Sequence, residues 1–264
     1  MVGAVLRDTG WMRFAAEAAV LDWAVAARAA ALPRIVDPAE RDKWLQCEGT
    51  WFVGVDSLPN DPDGAVPGGA PLPGAARAAA RVLYGDLPLH AGQVSVTWPG
   101  YPRPRAGEGG AAFRYRLKRD AAHVDGLLPV GEGRRRMLKE RHAYILGLPL
   151  TRSSPGASPL VVWEGSHHVM RRAFASALDA IVPRDWGNVD LTEIYKAARG
   201  EVFGTCRRVE VPAIPGEAYL VHRLCLHGVA PWGEGATAPP EGRMIAYFRP
   251  EFPDDARDDW LTAP

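Results

Sequence analysis

The stretch AAHVDG (121–126) sets a histidine and an aspartate two positions apart, His123 and Asp125. On an extended backbone, residues two apart share a face, so an imidazole nitrogen and a carboxylate oxygen can converge on one cation. Two histidines and one carboxylate on one face of an octahedron form the donor set of a mononuclear non-haem Fe(II) centre, leaving three positions for reactants. The second histidine must then come from a distant segment. After Asp125 the candidates are His142, His167, His168, His222 and His227.

His222 and His227 both fall in GEAYLVHRLCLHGVAPW, which reads as a strand launched by a Gly-Glu turn. They are five apart, and an odd separation on one strand sends them to opposite faces. The segment favours His227, at the far end of the strand before Gly228 and Pro231. His222, in mid-strand, reads as a packed or surface histidine.

These residues need a scaffold. WMRFAAEAAVLDWAVAARAAAL (11–32) is Ala-rich and sets Phe14, Ala18, Leu21 and Val25 on one helical face, with Pro33 as the stop. DPAERDKWLQ (37–46) opens a second helix, capped by Asp37 with Pro38 at its first position. The Pro/Gly-rich SLPNDPDGAVPGGAPLPG (57–74) is a linker or a structured loop over a pocket, and AARAAARVLYG after it is a short helix. From residue 93 the pattern changes: QVSVTW and AAFRYRLKRD alternate, and HAYILGLPL (142–150) and SPLVVW (158–163) read as buried strands. HHVMRRAFASALDAI and DLTEIYKAAR (190–199) are helical, the latter with a capping-box pattern at Asp190 and Glu193. RRVEVPA, GEAYLVHRLCLHGV and GRMIAYFRPEF supply the last strands. The expectation is a mainly β chain, a sandwich or jelly roll with helices packed on its outer face. It forms one domain over 1–264, with a helical support and loop region over 1–88 and the jelly-roll core over 89–252.

Composition narrows the function classes. With 31 basic and 31 acidic residues in 264 the formal charge is zero, which argues against a general nucleic-acid or anionic-membrane binder. Cys47, Cys206 and Cys225 are odd in number and lack C-x-x-C spacing, so neither a disulfide framework nor a zinc ribbon fits. Buried, reduced thiols in a cytoplasmic protein are the expectation. The N-terminal segment has no long apolar core and reads as neither a secretory signal nor a membrane span.

AAHVDG, SPLVVWEGSHHVMRR, GEAYLVHRLCLHGVAPW and GRMIAYFRPEF, in that order, resemble the phytanoyl-CoA dioxygenase family of Fe(II)- and 2-oxoglutarate-dependent oxygenases, over roughly residues 90–250. The resemblance implies a double-stranded β-helix, iron bound by His123, Asp125 and His227, and Arg243 paired with the distal carboxylate of 2-oxoglutarate. A planar guanidinium is also the natural fork for such a carboxylate on physical grounds. Arg249, six positions on, shares the strand face by parity and is the second candidate. The chain departs from the family pattern at Glu164, where a proline is usual, in the long GEGATAPPE turn before Arg243, and at Thr97, where a lysine is frequent. His167 has a structural place in this resemblance. Thr97 and Tyr144 are further candidates for contact with the co-substrate.

Because Asp125 is present, the resemblance favours hydroxylation of a small molecule by O2, with succinate and CO2 as co-products, over halogenation. GEGRRRMLKERH (131–142), Arg103 and Arg105 are either solvated turns or contacts for an anionic substrate. Two other readings stand beside this one: a cupin-like metalloenzyme that does not use 2-oxoglutarate, and a non-catalytic β-sandwich binding protein.

Overall fold

The computed structural model describes residues 2–264. In chain order its elements are α1 (Val2–Thr9), β1 (Trp11–Phe14), α2 (Ala18–Val36), α3 (Pro38–Trp44), β2 (Leu45–Gln46), β3 (Trp51–Phe52), α4 (Ala75–Tyr84), β4 (Gln93–Thr97), α5 (Gly110–Lys118), β5 (Leu127–Val130) and β6 (Arg135–Leu138). There follow β7 (Tyr144–Pro149), β8 (Leu160–Trp163), α6 (Ser166–Leu178), α7 (Thr192–Thr205), β9 (Arg208–Val211), β10 (Ala218–His222), β11 (His227–Val229), β12 (Arg243–Phe248) and α8 (Asp259–Thr262). No helix among the described residues is long and apolar enough to cross a membrane.

A seven-stranded antiparallel sheet in the order β1-β10-β7-β12-β4-β3-β2 faces a three-stranded sheet in the order β11-β8-β9. The period-2 rule divides its central strands cleanly. Leu146 and Leu148 of β7, Leu220 of β10, and Met244, Ala246 and Phe248 of β12 point outward, into one large core with the helices. Ile145, Tyr219, Val221, Ile245 and Tyr247 point inward and form a second cluster with Leu160, Val162 and Val211 of the small sheet. Both faces are covered, so these strands are apolar almost throughout. The alternation survives only as a choice between the two cores.

Several expectations need correction. Residues 11–32 are not one helix: Trp11–Phe14 pairs with β10 as an edge strand, and the helix starts at Ala18. Its buried face is Val20, Trp23, Ala24, Ala27, Ala31 and Ile35, while Leu21 and Val25 are exposed. Alanines make up half of that face, so the larger residues Leu21 and Val25 misreport its direction. Pro33 lies inside the last turn of α2, which runs on to Val36. Asp37 does cap the next helix, accepting from the Glu40 backbone N–H at 2.9 Å.

AAFRYRLKRD (111–120) is mostly helix, α5, rather than a strand. Phe113, Tyr115 and Leu117 alternate with arginines, but alanine, arginine, leucine and lysine are all good helix formers. No sheet edge claims the segment, and Arg116 ties it down through Glu108 at 2.7 Å. The large sheet also does not begin at residue 89, because β1, β2 and β3 all join it. Residues 57–74 form an ordered loop that buries Leu58, Val66 and Leu72, with the Trp23 indole donating to the Gly64 carbonyl at 2.7 Å. The capping box at 190–193 is replaced by an Asp190 turn, its carboxylate accepting from the Thr192 N–H at 3.0 Å. Cys47 and Cys225 are buried and Cys206 is partly exposed; all three are free thiols.

Candidate metal centre

The H-x-D segment is a short extended piece laid against β11. His123 N–H donates to the His227 carbonyl at 2.8 Å, and His227 N–H donates back to the His123 carbonyl at 3.0 Å. This reciprocal antiparallel bridge sets the two histidines side by side although 103 residues separate them in the chain. Their rings lie 4.6 Å apart between centroids. Val124, between the two candidate ligands, points the other way into the helix-side core, and its N–H donates to the Tyr195 hydroxyl at 3.0 Å. His123 and Asp125 are thereby turned together to one face.

Two glycines make this packing possible. A Cβ on Gly228 would sit 2.1 Å from the Asp120 carbonyl oxygen, so only glycine lets the approaching segment pass so near. Gly126 has φ +82°, and a Cβ there would sit 2.2 Å from the Glu140 carbonyl oxygen. Just upstream, Asp120 and Ala121 both adopt left-handed φ, at 50° and 53°. Such positions cost about 1 kcal/mol or more each for non-glycine residues and persist only where neighbours hold them. Here a bidentate Arg208–Asp120 pair, at 2.7 and 2.8 Å, does so.

The ligand atoms of His123, Asp125 and His227 all lie within 4.8 Å of one another. His123 Nε2 is 3.1 Å from Asp125 Oδ1, and His227 Nε2 is 3.7 Å from Asp125 Oδ2. Each imidazole is oriented through its other nitrogen: His123 Nδ1 is 3.0 Å from the Ala121 carbonyl and His227 Nδ1 is 2.9 Å from the Cys225 carbonyl. An Nδ1–H donated to a carbonyl leaves Nε2 as a lone pair aimed at the carboxylate, the arrangement metal-binding histidines adopt. Burial works to raise the Asp125 pKa, but the charge of Arg249 beside it holds it well below the usual carboxylate range. The donor set is thus two imidazoles and one ionised carboxylate, which fits a divalent first-row metal such as iron(II).

Two cavities meet at these residues. An inner one of about 190 Å³ runs between the sheets past Ser95, Ile145, Leu160, Val221 and Tyr247. An outer one of about 480 Å³ opens over His123, between α5, the β5–β6 hairpin and α7. Trp51, Val55, His123, Asp125 and Arg249 border both. His123 is half-exposed on the outer side, whereas Asp125 is mostly covered and His227 is buried.

The other sequence candidates scatter. Arg249 lies beside the candidate ligands, with Nη1 3.2 Å from Asp125 Oδ2 and Nη2 donating to Gln93 Oε1 at 2.6 Å. Arg243 is on the same inward face of β12 but lines a different cavity of about 240 Å³, with Arg13, Ser154, Glu217 and Tyr219. It is buried, its Nη1 has no hydrogen-bond partner, and no carboxylate pairs with it among the described residues. Between it and the metal centre stand Tyr219 and Tyr247, hydroxyl to hydroxyl at 2.9 Å. Thr97 is the register partner of Arg243 on β4, buried with its hydroxyl unpartnered. Tyr144 does not reach the site. It faces the helix layer, where its hydroxyl accepts from Arg77 at 2.9 Å and its ring stacks on Tyr84.

His222 also faces the helix layer, fully buried beside Arg171, and burial first of all drives its pKa well down. The assumption of one continuous strand fails, because the chain turns at 223–226 and the two histidines belong to different sheets. The Tyr219–Tyr247 pair went unnoticed in the sequence, although Tyr247 shares the parity of Arg243 and Arg249 and that signal was available.

No protein-family model matches the chain, and neither does any curated sequence. Among solved structures it is similar to the epimerase SnoN in complex with Fe3+, alpha ketoglutarate and nogalamycin RO, at 15% identity and TM-score 0.50, over 94% of this chain and 82% of that one. Weaker likenesses are EctD from S. alaskensis with bound Fe (17% identity, TM-score 0.49, 93% and 73% covered) and AviO1 from Streptomyces viridochromogenes Tue57 (16%, 0.49, 93% and 92%). The likeness to SnoN is one of fold.

Proposed function

We propose that this chain is an Fe(II)- and 2-oxoglutarate-dependent oxygenase of the phytanoyl-CoA dioxygenase type, acting on a small molecule. The observation that carries the reading is the His123–Asp125–His227 cluster at the junction of two cavities, one enclosed between the sheets and one open to solvent. The opposed sheets, with the His123 segment bridged to β11 as a fourth short strand, agree with a double-stranded β-helix. So does the fold shared with SnoN, whose structure holds Fe3+ and alpha ketoglutarate.

Iron(II) bound there would supply the redox chemistry that couples O2 and the decarboxylation of 2-oxoglutarate, to succinate and CO2, with hydroxylation of a substrate C–H bond. The chain's own residues do the rest. Ala121 and Cys225 carbonyls keep both imidazoles in the Nε2-ligating tautomer, and Arg249 keeps Asp125 ionised and aimed. The inner cavity takes the co-substrate, directing its distal carboxylate past the Tyr247 hydroxyl toward Arg243, the buried cation left without an anion. Ile145, Leu160 and Val221 keep that end dry, which strengthens the ion pair. The outer cavity, on the exposed side of His123, receives the substrate.

The test is anaerobic. Protein loaded with Fe(II) and 2-oxoglutarate develops the weak visible charge-transfer band of the chelate; His227→Ala abolishes it, His222→Ala retains it, and Arg243→Ala retains iron but demands far more 2-oxoglutarate. Iron binding without the band assigns a metalloenzyme of another kind. No metal binding at all assigns a non-catalytic protein.

A further inference from the structure

The outer cavity carries six arginines, Arg105, Arg116, Arg119, Arg136, Arg199 and Arg249, against two carboxylates, Asp125 and Glu140. Two of the six are neutralised: Arg116 by Glu108 at 2.7 Å and Arg249 by Asp125 at 3.2 Å. Glu140 is already engaged by His142 at 3.1 Å. Among the described residues no carboxylate pairs with Arg105, Arg119, Arg136 or Arg199. Arg119 and Arg199 converge from two elements onto one ring, with guanidinium carbons 4.3 and 5.6 Å from the centroid of Phe203. Arg199 also stands 5.3 Å over Tyr195, and its Nε is buried with no partner. Arg105 lies 5.5 Å over Trp51 at the rim, and the Arg136 guanidinium donates only to the Leu127 carbonyl at 3.2 Å.

Like charges brought together in a concave site repel one another and focus a positive potential into it. In a chain of zero net charge this concentration is local. The aromatic faces hold the guanidiniums in place through cation–π contact yet leave their N–H forks open, and such forks match carboxylate and phosphate oxygens. The lining of the same cavity also includes apolar residues, Ala122, Leu127 and Leu128.

We propose that the outer cavity is an anion subsite, built on Arg119 and Arg199 with Arg136 and Arg105 at its rim, and that the substrate is a small molecule with an apolar body and a carboxylate or phosphate group. The anionic group docks on the Arg119–Arg199 pair and the body lies over Ala122, Leu127 and Leu128 against the open side of His123. The substrate assignment rests on the oxygenase reading; the anion subsite does not.

The experiment is calorimetric titration of the full chain, with and without anaerobic Fe(II) and stoichiometric 2-oxoglutarate, using phenyl phosphate, phenylacetate and neutral benzyl alcohol. At least one anionic probe binds tenfold or more tighter than benzyl alcohol, with affinity falling as salt rises. Arg119→Gln/Arg199→Gln, and independently Arg136→Gln, weaken that probe by tenfold and severalfold, while Arg184→Gln, a well-exposed arginine outside this cavity, leaves it unchanged. The tighter of the two anions identifies the group as phosphate or carboxylate. Equal binding of charged and neutral probes, or full affinity in a double variant with a wild-type urea transition, overturns the proposal. So does loss of the 2-oxoglutarate band on adding the probe, which would place the anion in the inner cavity. Absence of the band with anion binding intact removes the oxygenase reading and leaves the subsite standing.

Discussion

Gly147 sits at the centre of β7, where its register partners are Tyr219 on β10 and Tyr247 on β12. The two tyrosines reach across it to join hydroxyls at 2.9 Å, between the candidate metal centre and the Arg243 cavity. A Cβ at residue 147 would lie 2.1, 2.4 and 2.7 Å from Cε2, Cζ and the hydroxyl oxygen of Tyr219. The backbone of β7 cannot yield, because it is hydrogen-bonded on both sides. In Gly147→Ala the Tyr219 ring must therefore move toward the Arg243 cavity and give up its bond to Tyr247. Overpacking a close-packed core costs about 1–3 kcal/mol, and a buried hydroxyl left without its partner costs about 1–3 kcal/mol. The smaller unfolded-state entropy of alanine returns about 0.4–1 kcal/mol. We expect a net loss of about 2–4 kcal/mol by urea unfolding, and a Tm lower by about 5–15 °C for a chain of this size. In a Tyr219→Ala background the same substitution costs less by about 2 kcal/mol, since the clashing ring is gone. A Gly147→Ala protein within 0.5 kcal/mol of wild type, or an equal loss in both backgrounds, would refute the steric argument.

Two further outcomes follow from buried polar groups. Burial, reinforced by His168 and Arg171 and opposed by a hydrogen bond to the Arg7 carbonyl, pushes His167 from its ordinary 6.5 down to about 4. Its Nε2–H already donates to Arg7 and its Nδ1 is buried without a partner, so a second proton has nowhere to bond. The unfolded chain binds that proton first, so the contribution of His167 to stability falls as pH drops from about 6.5 and is fully lost below about 4, by about 3 kcal/mol, while other depressed groups such as His222 add to the slope. His167→Gln should make the urea-stability profile between pH 6.5 and about 4 shallower, and an unchanged slope contradicts the assignment. Arg223, almost wholly buried, donates to the carbonyls of Ala143, Asp259, Trp260, Ala263 and Pro264. Arg223→Met strands these acceptors and should cost at least about 3 kcal/mol, with faster proteolysis around α8; a loss under 1 kcal/mol argues that water replaces the guanidinium.

The local half of the candidate metal centre, the shared face of His123 and Asp125, was legible in the chain. His123 and Asp125 share a face because extended backbone has period 2, and Gly126 and Gly228 mark the two places where backbones come too close for a side chain. Strand identity was equally readable in 142–150, 158–163 and 243–248, where β-branched and large apolar residues fill both faces. Parity also grouped Arg243 with Arg249. Periodicity does not say which face of a two-sided apolar strand looks toward the other sheet, and on that choice Tyr144 fell to the helix layer and Tyr219 to the site. It says nothing of a chain that leaves one sheet for another between His222 and His227. Nor does it separate an arginine-rich helix such as 110–118 from an alternating strand, since that depends on whether a sheet edge is free to pair with it. The pairing of His123 with His227, the seating of Arg249 on Asp125 and the meeting of Arg119 with Arg199 over Phe203 are contacts between distant segments. They depend on strand register and layer packing, which no local run of residues encodes, and so the tertiary structure decided them.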